Sequence, residues 1–410
     1  MTNKILHILA QKPGNTGSGI FLQSLLNEAG KKKYQQSVIA GISKNDNLES
    51  CGIPEDIQFF PVLFETEELP FPVIGMSDVM PYQSTRYQDL SNKMTEQWQS
   101  AFKDQIRNAV EKFQPDLIIS HHLWILSVFI KELFPNFPIF VISHGTGLRQ
   151  LKLAKQFSQY VIAGSKELDH IFALTEFQKA EIIREYGISK NTISVIGGAY
   201  NPKIFYPAKN SNQKIKLVYC GKLSYAKGVL SLIKVFNRLK TVGVEPELIL
   251  VGSGSGEEEQ SIRNFAEKCS NEIKFTGAVS QHKLAEIFRN SDIFVLPSFY
   301  EGLGLVVIEA LACGLRIVST DFPGLKEWIG EEINQTGIIK YVQLPRLKNK
   351  DIPIKDDLPV FERRLETALS EQIQAHISAK QKPDLTEFLL DKTWTGIFSR
   401  IEKRIYEQFR

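Results

Sequence analysis

Cysteine is scarce in this sequence. The four, Cys51, Cys220, Cys269 and Cys313, are widely spaced and form no CxxC pair. Zinc sites and disulfide frameworks are recognised by spacing, so these read as reduced thiols in a cytoplasmic protein. Charge of one sign is scarce too: Lys plus Arg number 49 and Asp plus Glu 46, a net charge of +3. Over 410 residues that is too little to make nucleic acid the main partner, so any phosphate chemistry must come from a local site. The longest apolar run, Leu117 to Ile130, is shorter than the roughly 20 residues of a membrane span and holds two histidines. No transmembrane segment is expected. The opening MTNKILHILAQKPG lacks a small-residue cleavage site and reads as a first strand, not a signal peptide. Internal repeats and low-complexity tracts are absent.

What is present is globular: 43% apolar and 23% charged residues, at a length that asks for two domains of roughly 100–200 residues each. Apolar runs alternate with helical stretches. KILHILA, QSVIAGI, DLIISHH, PIFVISH and YVIAGS are candidate strands, then ISVIGG, KLVYCG, ELILVG, IKFTG, IFVLPS and RIVST. Many are continuous Val/Ile/Leu runs, as parallel strands buried on both faces require. The pattern predicts helices over Phe21 to Glu28, Thr95 to Phe113, Thr175 to Tyr186, Val229 to Thr241, Gly256 to Cys269, Gln281 to Arg289 and Leu305 to Ala312. An amphipathic terminal helix begins at Trp394. This order predicts an α/β chain of two doubly wound parallel sheets. The polar segment Tyr200 to Lys216 marks the boundary, giving domains 1–205 and 206–393. Residues 341–383 are charged and proline-interrupted and offer no strand series.

In open α/β sheets ligands bind beyond the carboxyl ends of strands. The densest segment of that kind is 296–328, LPSFYEGLGLVVIEALACGLRIVSTDFPGLKEW. A strand ends in a loop with Glu301, Gly302 and Gly304, and a helix carrying Glu309 follows. The glycines let backbone approach a ligand. The amides of Gly304 and Leu305 are unpaired donors at a helix N-terminus, suited to a diphosphate. Glu309 is placed to accept from a ribose diol and Glu301 from a sugar hydroxyl. The plainer alternative is a pair of helix-start carboxylates favoured by the macrodipole.

This segment resembles the donor-site signature of the family 4 retaining glycosyltransferases, which have the GT-B fold. Pro297, Ser298, Glu301, Gly302, Leu303, Gly304, Leu305, Glu309, Ala310, Cys313 and Gly314 carry the likeness. Leu303 stands where Phe is usual and Arg316 where Pro is usual. The resemblance implies that Glu309 holds the nucleotide ribose and Glu301 contacts the donor sugar. LVYCGKLSYAKGV, 217–229, is similar to the family's Gly-Arg-Leu…Lys-Gly motif, with Lys222 in place of Arg. Lys222 and Lys227 would then neutralise the departing diphosphate. Read without the family, they are solvated lysines in a turn. Gly252 and Gly254, in VGSGSGEEE, make a tight turn on their own, and the family places that loop near the donor base and phosphates. The Glu257–Glu259 run reads as a solvated helix start.

In the first domain, Gly17 and Gly19 resemble the family's glycine loop beside diphosphate and acceptor. VISHGTGLRQ offers His144 and Arg149 after a strand, and the resemblance implies that His144 contacts the donor sugar. His121 and His122 end another strand and read most simply as packed side chains; in the functional alternative one faces the site, with His121 and Arg149 as candidate acceptor contacts. No carboxylate or cysteine at ligand spacing makes the two histidines a metal site. The long loop Phe71 to Leu90 is either an ordered surface loop or an acceptor lid offering Asp78, Tyr82 and Arg86. Lys31–Lys33 reads as a solvated helix end; its functional alternative is contact with anionic lipid headgroups.

Taken together, the resemblance implies a GT-B glycosyltransferase with two Rossmann-like domains facing a cleft and residues 394–410 returning to the first. It would move a sugar with retention from a nucleotide diphosphate sugar, of uridine or guanosine, to a hydroxyl of a saccharide, a lipid-linked glycan or a small metabolite. No obligatory cofactor or metal is implied, since no Asp-x-Asp motif ends a strand near the site. The rivals are a phosphorylase or epimerase on the same fold, and a non-catalytic nucleotide-sugar-binding protein.

Overall fold

The structure is a computed structural model that describes residues 4–14, 16–77, 80–208, 214–239, 246–348, 351–378 and 383–410. The chain divides into two compact units, one of 1–197 with 394–410 and one of 198–393. The boundary thus falls eight residues before the expected 205. Packing explains the difference: Tyr200 and Phe205 are buried in the second unit's core.

Unit 1 runs β1 (Lys4–Leu9), α1 (Gly17–Lys31), β2 (Gln35–Ser43), β3 (Gln58–Phe64), β4 (Ile74–Gly75), β5 (Thr85–Arg86), α2 (Asn92–Phe113), β6 (Leu117–His121), α3 (Ile125–Leu133), β7 (Ile139–Ile142), α4 (Thr146–Leu153), α5 (Ser158–Gly164), β8 (His170–Ala173), α6 (Glu176–Tyr186) and β9 (Ile193–Val195). Seven strands form one parallel sheet in the order β3-β2-β1-β6-β7-β8-β9. Its central strands are buried along their whole length, which is why they read as uninterrupted apolar runs.

Unit 2 runs β10 (Lys216–Cys220), α7 (Val229–Arg238), β11 (Glu247–Val251), α8 (Gly256–Ala266), β12 (Ile273–Gly277), α9 (Gln281–Arg289), β13 (Ile293–Leu296), α10 (Leu305–Ala312), β14 (Arg316–Thr320), α11 (Leu325–Ile329), α12 (Glu331–Gln335), β15 (Ile339–Val342), β16 (Leu347–Lys348), β17 (Ile352–Pro353), α13 (Leu358–Ser378) and α14 (Thr386–Leu389). Its six-stranded parallel sheet is ordered β12-β11-β10-β13-β14-β15. The predicted helix end at Thr241 lies outside the described residues.

The terminal helix α15 (Trp394–Gln408) belongs to unit 1. Trp394 sets its ring edge-on to Phe21 at 5.0 Å, and Phe398 does the same to Tyr34 at 5.8 Å. Arg404 Nε donates to His170 Nδ1 at 3.1 Å, so the proton of a neutral His170 sits on Nε2, which donates to Ser194 Oγ at 2.9 Å.

One sequence expectation fails, and three strands, β3, β8 and β15, have no counterpart among the candidate runs. YVIAGS is not a strand but the body of α5. Burial there recurs at Val161 and Ser165, a helical spacing, and a Cβ on Gly164 would come 2.1 Å from a Val128 methyl of α3. A short apolar run fits either period, and packing against a neighbouring helix decided it. The strand that pairs with β7 is instead His170–Ala173. Within 341–383 lies a 21-residue helix, α13, whose Phe361, Leu365 and Leu369 are buried in the unit 2 core. Gln372 of the same helix donates to the Ile338 carbonyl at 2.9 Å and accepts from Arg316 at 3.2 Å. Arg316 stands in the predicted strand RIVST. It opens β14, buried, with its guanidinium held by α13.

Candidate functional site

Unit 2's strand order reverses at β10, whose neighbours β11 and β13 lead away in opposite directions. The crevice beyond the carboxyl ends of β10 and β13 is thus the topological switch point where such sheets bind ligands. Both predicted motifs end there. After β10, Tyr219 donates its hydroxyl hydrogen bond to the Lys222 carbonyl at 2.8 Å, fixing the turn. After β13, the Phe299 amide donates to the Ala226 carbonyl at 3.0 Å, tying the two loops together. A Cβ on Gly228 would lie 2.1 Å from the Pro297 carbonyl, so only glycine allows this approach, and its φ of 65° is left-handed as well.

This clamp brings Lys227 and Glu301 together. Lys227 Nζ donates to Glu301 Oε1 at 2.8 Å and to the Tyr300 carbonyl at 3.2 Å. Both side chains are half-buried. A partly exposed pair of this kind is worth only ~0–1 kcal/mol, so an incoming anion can take over the lysine at little cost. Lys222 is exposed, with no side-chain partner among the described residues. The N-termini of α7 and α10 begin at the same crevice, each after a left-handed glycine, Gly228 and Gly304, and neither has a side-chain cap. Their first amides are free to meet an anion.

Glu309 is the fifth residue of α10, and its carboxylate has no hydrogen-bond partner among the described residues. It keeps partial solvent access, yet protein surrounds it closely enough that burial pushes its carboxyl up to about 7. It lies near the end of β10: burial pushes the Cys220 thiol up to about 12, and the Glu309 charge adds to that shift. An acceptor of ribose hydroxyls must be ionised to accept fully. If Glu309 has that role, the affinity for a nucleotide sugar rises about tenfold between pH 6 and pH 8 as the carboxyl ionises. Glu309→Gln should flatten this dependence, and Glu309→Ala should weaken binding by ~1.5–3 kcal/mol. Calorimetry with an intact nucleotide sugar checks both, because a terminal phosphate would titrate near pH ~6 by itself.

The remaining unit 2 candidates divide. Gly302 faces open space, so backbone there is accessible. Gly252 and Gly254 serve the fold first: a Cβ on them would lie 2.0 Å from the Gly221 carbonyl and 2.4 Å from the Leu223 carbonyl. They press the β11 loop onto the β10 loop. Leu303 is buried, and both it and Leu305 pack their side chains against Gly198, so only their backbone can serve a ligand.

In unit 1 the strand order reverses between β1 and β6, and the candidates again gather at that point. Gly19 is required by packing, since a Cβ would fall 2.3 Å from the Gly14 carbonyl; Gly17 faces open space. Thr16 caps α1 by accepting from the Gly19 amide at 3.1 Å. His144 follows β7 and is only partly exposed. His121 and His122 are both buried behind it, with ring centroids 5.4 and 4.8 Å from that of His144. His122 has a φ of 74°, rare for a residue with a side chain, and this turn lets two successive histidines meet the same neighbour. Neither His121 nor His122 is placed to touch an acceptor, so the packed reading holds and the acceptor role of His121 does not: it ends a strand covered on both faces. The buried His7 completes the group, 6.2 Å from His121; in sequence it looked like any core position of a first strand.

The 71–90 loop is fastened down. The Met76 amide donates to Gln11 Oε1 at 3.0 Å, Gln150 Nε2 donates to the Met76 carbonyl at 3.0 Å, and Gln156 Nε2 to the Tyr87 carbonyl at 3.3 Å. Tyr82 packs against the core under Lys12, whose Nζ stands 5.0 Å from the ring centroid. Arg86 pairs with Asp89 at 2.6 Å, and Asp78 lies outside the described residues. Arg149 is exposed on α4. Lys31 pairs with Glu28 and Lys32 with Glu402 at 3.5 Å, so two cations of that run are neutralised within unit 1. Among the described residues no group of three or more His, Cys, Asp or Glu is arranged to hold a metal ion, and no helix is long and apolar enough to cross a membrane.

Two doubly wound parallel sheets, each with its candidate side chains at the switch point, put this chain in the GT-B class of α/β proteins. It belongs to the group 1 (family 4) glycosyltransferases. Residues 80–203 match the Glycosyltransferase Family 4 model and residues 202–344 the Glycosyl transferases group 1 model, together well over half of the chain. D-inositol 3-phosphate glycosyltransferase of Paenarthrobacter aurescens is 27% identical over 194 residues, 44% of this chain and 46% of that protein. The chain spans somewhat under half the length of the curated relatives it matches. Sucrose-phosphate synthase of Thermosynechococcus elongatus shares the fold with a TM-score of 0.65 at 17% identity over 99% of both chains. Anabaena HepE in complex with UDP-glucose does so with a TM-score of 0.62 at 13% identity, over 98% of this chain and 99% of that one.

Proposed function

We propose that this protein is a glycosyltransferase that moves a sugar from a nucleoside-diphosphate sugar to an acceptor hydroxyl with retention of anomeric configuration. The observation that carries the reading is the Lys227–Glu301 pair at the switch point, beside two uncapped helix N-termini and the unpartnered Glu309. A diphosphate arriving there exchanges a weak carboxylate contact for its own charge on Lys227. It leaves Glu301 free to accept from sugar hydroxyls, while Glu309 accepts from the ribose. As the glycosidic bond breaks, charge grows on the β-phosphate, and Lys227, Lys222 and the helix amides stabilise it. A β-phosphate oxygen takes the proton of the attacking hydroxyl, so no protein nucleophile is needed.

UDP is the preferred nucleotide in this reading, supported by the UDP-glucose bound to the fold relative HepE; GDP is the alternative. The acceptor is a saccharide, a lipid-linked glycan or a small metabolite. No obligatory metal or cofactor is part of the proposal. It includes a cytoplasmic setting, which four free thiols support. The test is incubation with UDP- and GDP-sugars and an acceptor panel, with proton NMR of the product. The expected product keeps the donor's anomeric configuration; inversion overturns the mechanism. Donor loss that needs inorganic phosphate and no hydroxyl acceptor points to a phosphorylase instead.

A further inference from the structure

Three imidazoles of unit 1 have more ring nitrogens than partners, and that imbalance fixes where their protons sit. His121 Nδ1 is 3.1 Å from His144 Nε2, and the two rings are within 8° of parallel. His121 Nε2 is buried with no partner among the described residues. A neutral imidazole has one N–H and one lone pair. If the His121 proton were on Nε2, a buried donor would have no acceptor, the more costly defect; on Nδ1 it is donated to His144 and only a lone pair stays dry. His144 Nε2 must then be the acceptor, which places the His144 proton on Nδ1. That nitrogen has no partner among the described residues, on the one ring of the three that keeps partial exposure. The neighbouring His122 follows the same rule: its Nδ1 meets Thr146 Oγ1 at 2.8 Å while its Nε2 is buried and unpartnered.

We propose that His121 is a positioning residue that holds His144 as its Nδ1–H tautomer, so that unit 1 offers a hydrogen-bond donor to a sugar hydroxyl oxygen. The sugar as ligand rests on the function proposed above; the tautomer does not. His144 in this state cannot take a proton at its free nitrogen, so it orients a substrate and does not act as a general base. The cluster stays neutral, since burial lowers the proton affinity of all three rings.

The test is a two-bond proton–nitrogen NMR correlation on the full chain with 15N-histidine, recorded without donor at pH 7.5. The expected pattern for His144 is protonated Nδ1 and bare Nε2; protonated Nε2 overturns the proposal on the wild-type protein alone. In His121→Phe the bias should disappear and kcat/KM fall about tenfold, the worth of one hydrogen bond. His121→Asn, whose amide can still donate, should restore both. A His144 tautomer unchanged in His121→Phe would sink the positioning role. A correct tautomer in a chain that turns over no nucleotide sugar would instead count against the proposed function.

Discussion

Lys227→Ala is expected to lower turnover of a nucleotide sugar by ~10²–10³-fold, with a much smaller change in donor affinity. The asymmetry follows from when the charge is needed. In the proposed ground state Lys222 and the amides of α7 and α10 meet the diphosphate together with Lys227, which has left Glu301 for it, so no single cation carries donor binding. In the transition state a further negative charge appears on the β-phosphate, and an ammonium still held by the Tyr300 carbonyl is aligned without reorganisation. Lys227→Arg should recover only part of the rate, because a planar fork fits the confined turn before Gly228 differently from a point charge. Steady-state kinetics separating kcat from KM are the measurement. Near-normal kcat in Lys227→Ala would remove this residue from the mechanism.

The second large effect is acid lability confined to unit 1. His7, His121, His122 and His170 are buried and His144 nearly so. Burial pushes His7 down to about 4 and His144 and His170 to about 3, and holds His121 and His122 well below the usual histidine range. Each therefore takes up a proton more readily when unfolded. Stability is fully present above pH ~6.5 and falls as the pH drops from there toward the folded values. Each histidine that protonates only on unfolding adds ~1.4 kcal/mol per pH unit to the slope, approaching ~7 kcal/mol per pH unit for five. Set against a total of ~5–15 kcal/mol, that predicts loss of unit 1 between pH 6 and 4. Arg404 adds a specific contact, since protonated His170 can no longer accept from it. Unit 2 holds only His282 and His376, neither buried. Hydrogen exchange resolved along the chain should show unit 1 amides losing protection first; simultaneous loss in both units would refute the assignment.

Much of this protein could be read from residues alone, where local rules agree. The α9 and α10 bounds, Gln281–Arg289 and Leu305–Ala312, come out as the pattern predicts because each starts after a polar or glycine cap, α9 with a clear apolar face and α10 apolar at every position but Glu309. Ten of the thirteen strands of the two sheets are legible, because burial on two faces favours Val, Ile and Leu. The partly buried edge strands β3 and β15 and the four-residue β8 are not. Legibility stops where the partner lies far along the chain. YVIAGS became helix because Val128 waits for Gly164, and α13 was hidden because its charged surface outweighs a narrow buried stripe. Among candidate residues, the motifs located Glu301, Glu309 and Lys227. They did not reveal that Gly252, Gly254 and Gly19 are demanded by neighbouring carbonyls, or that Tyr219 braces the lysine turn.

Composition and the order of apolar and helical runs were enough for the class of fold and for which loop carries the carboxylates, because these depend on short-range periodicity and spacing. The family came from the resemblance of the 296–314 motif. Tertiary structure alone decided the Lys227–Glu301 pairing, the raised proton affinity of Glu309 and the stacking of His121 behind His144. These properties arise from distance and desolvation between segments tens of residues apart, which spacing along a chain does not encode.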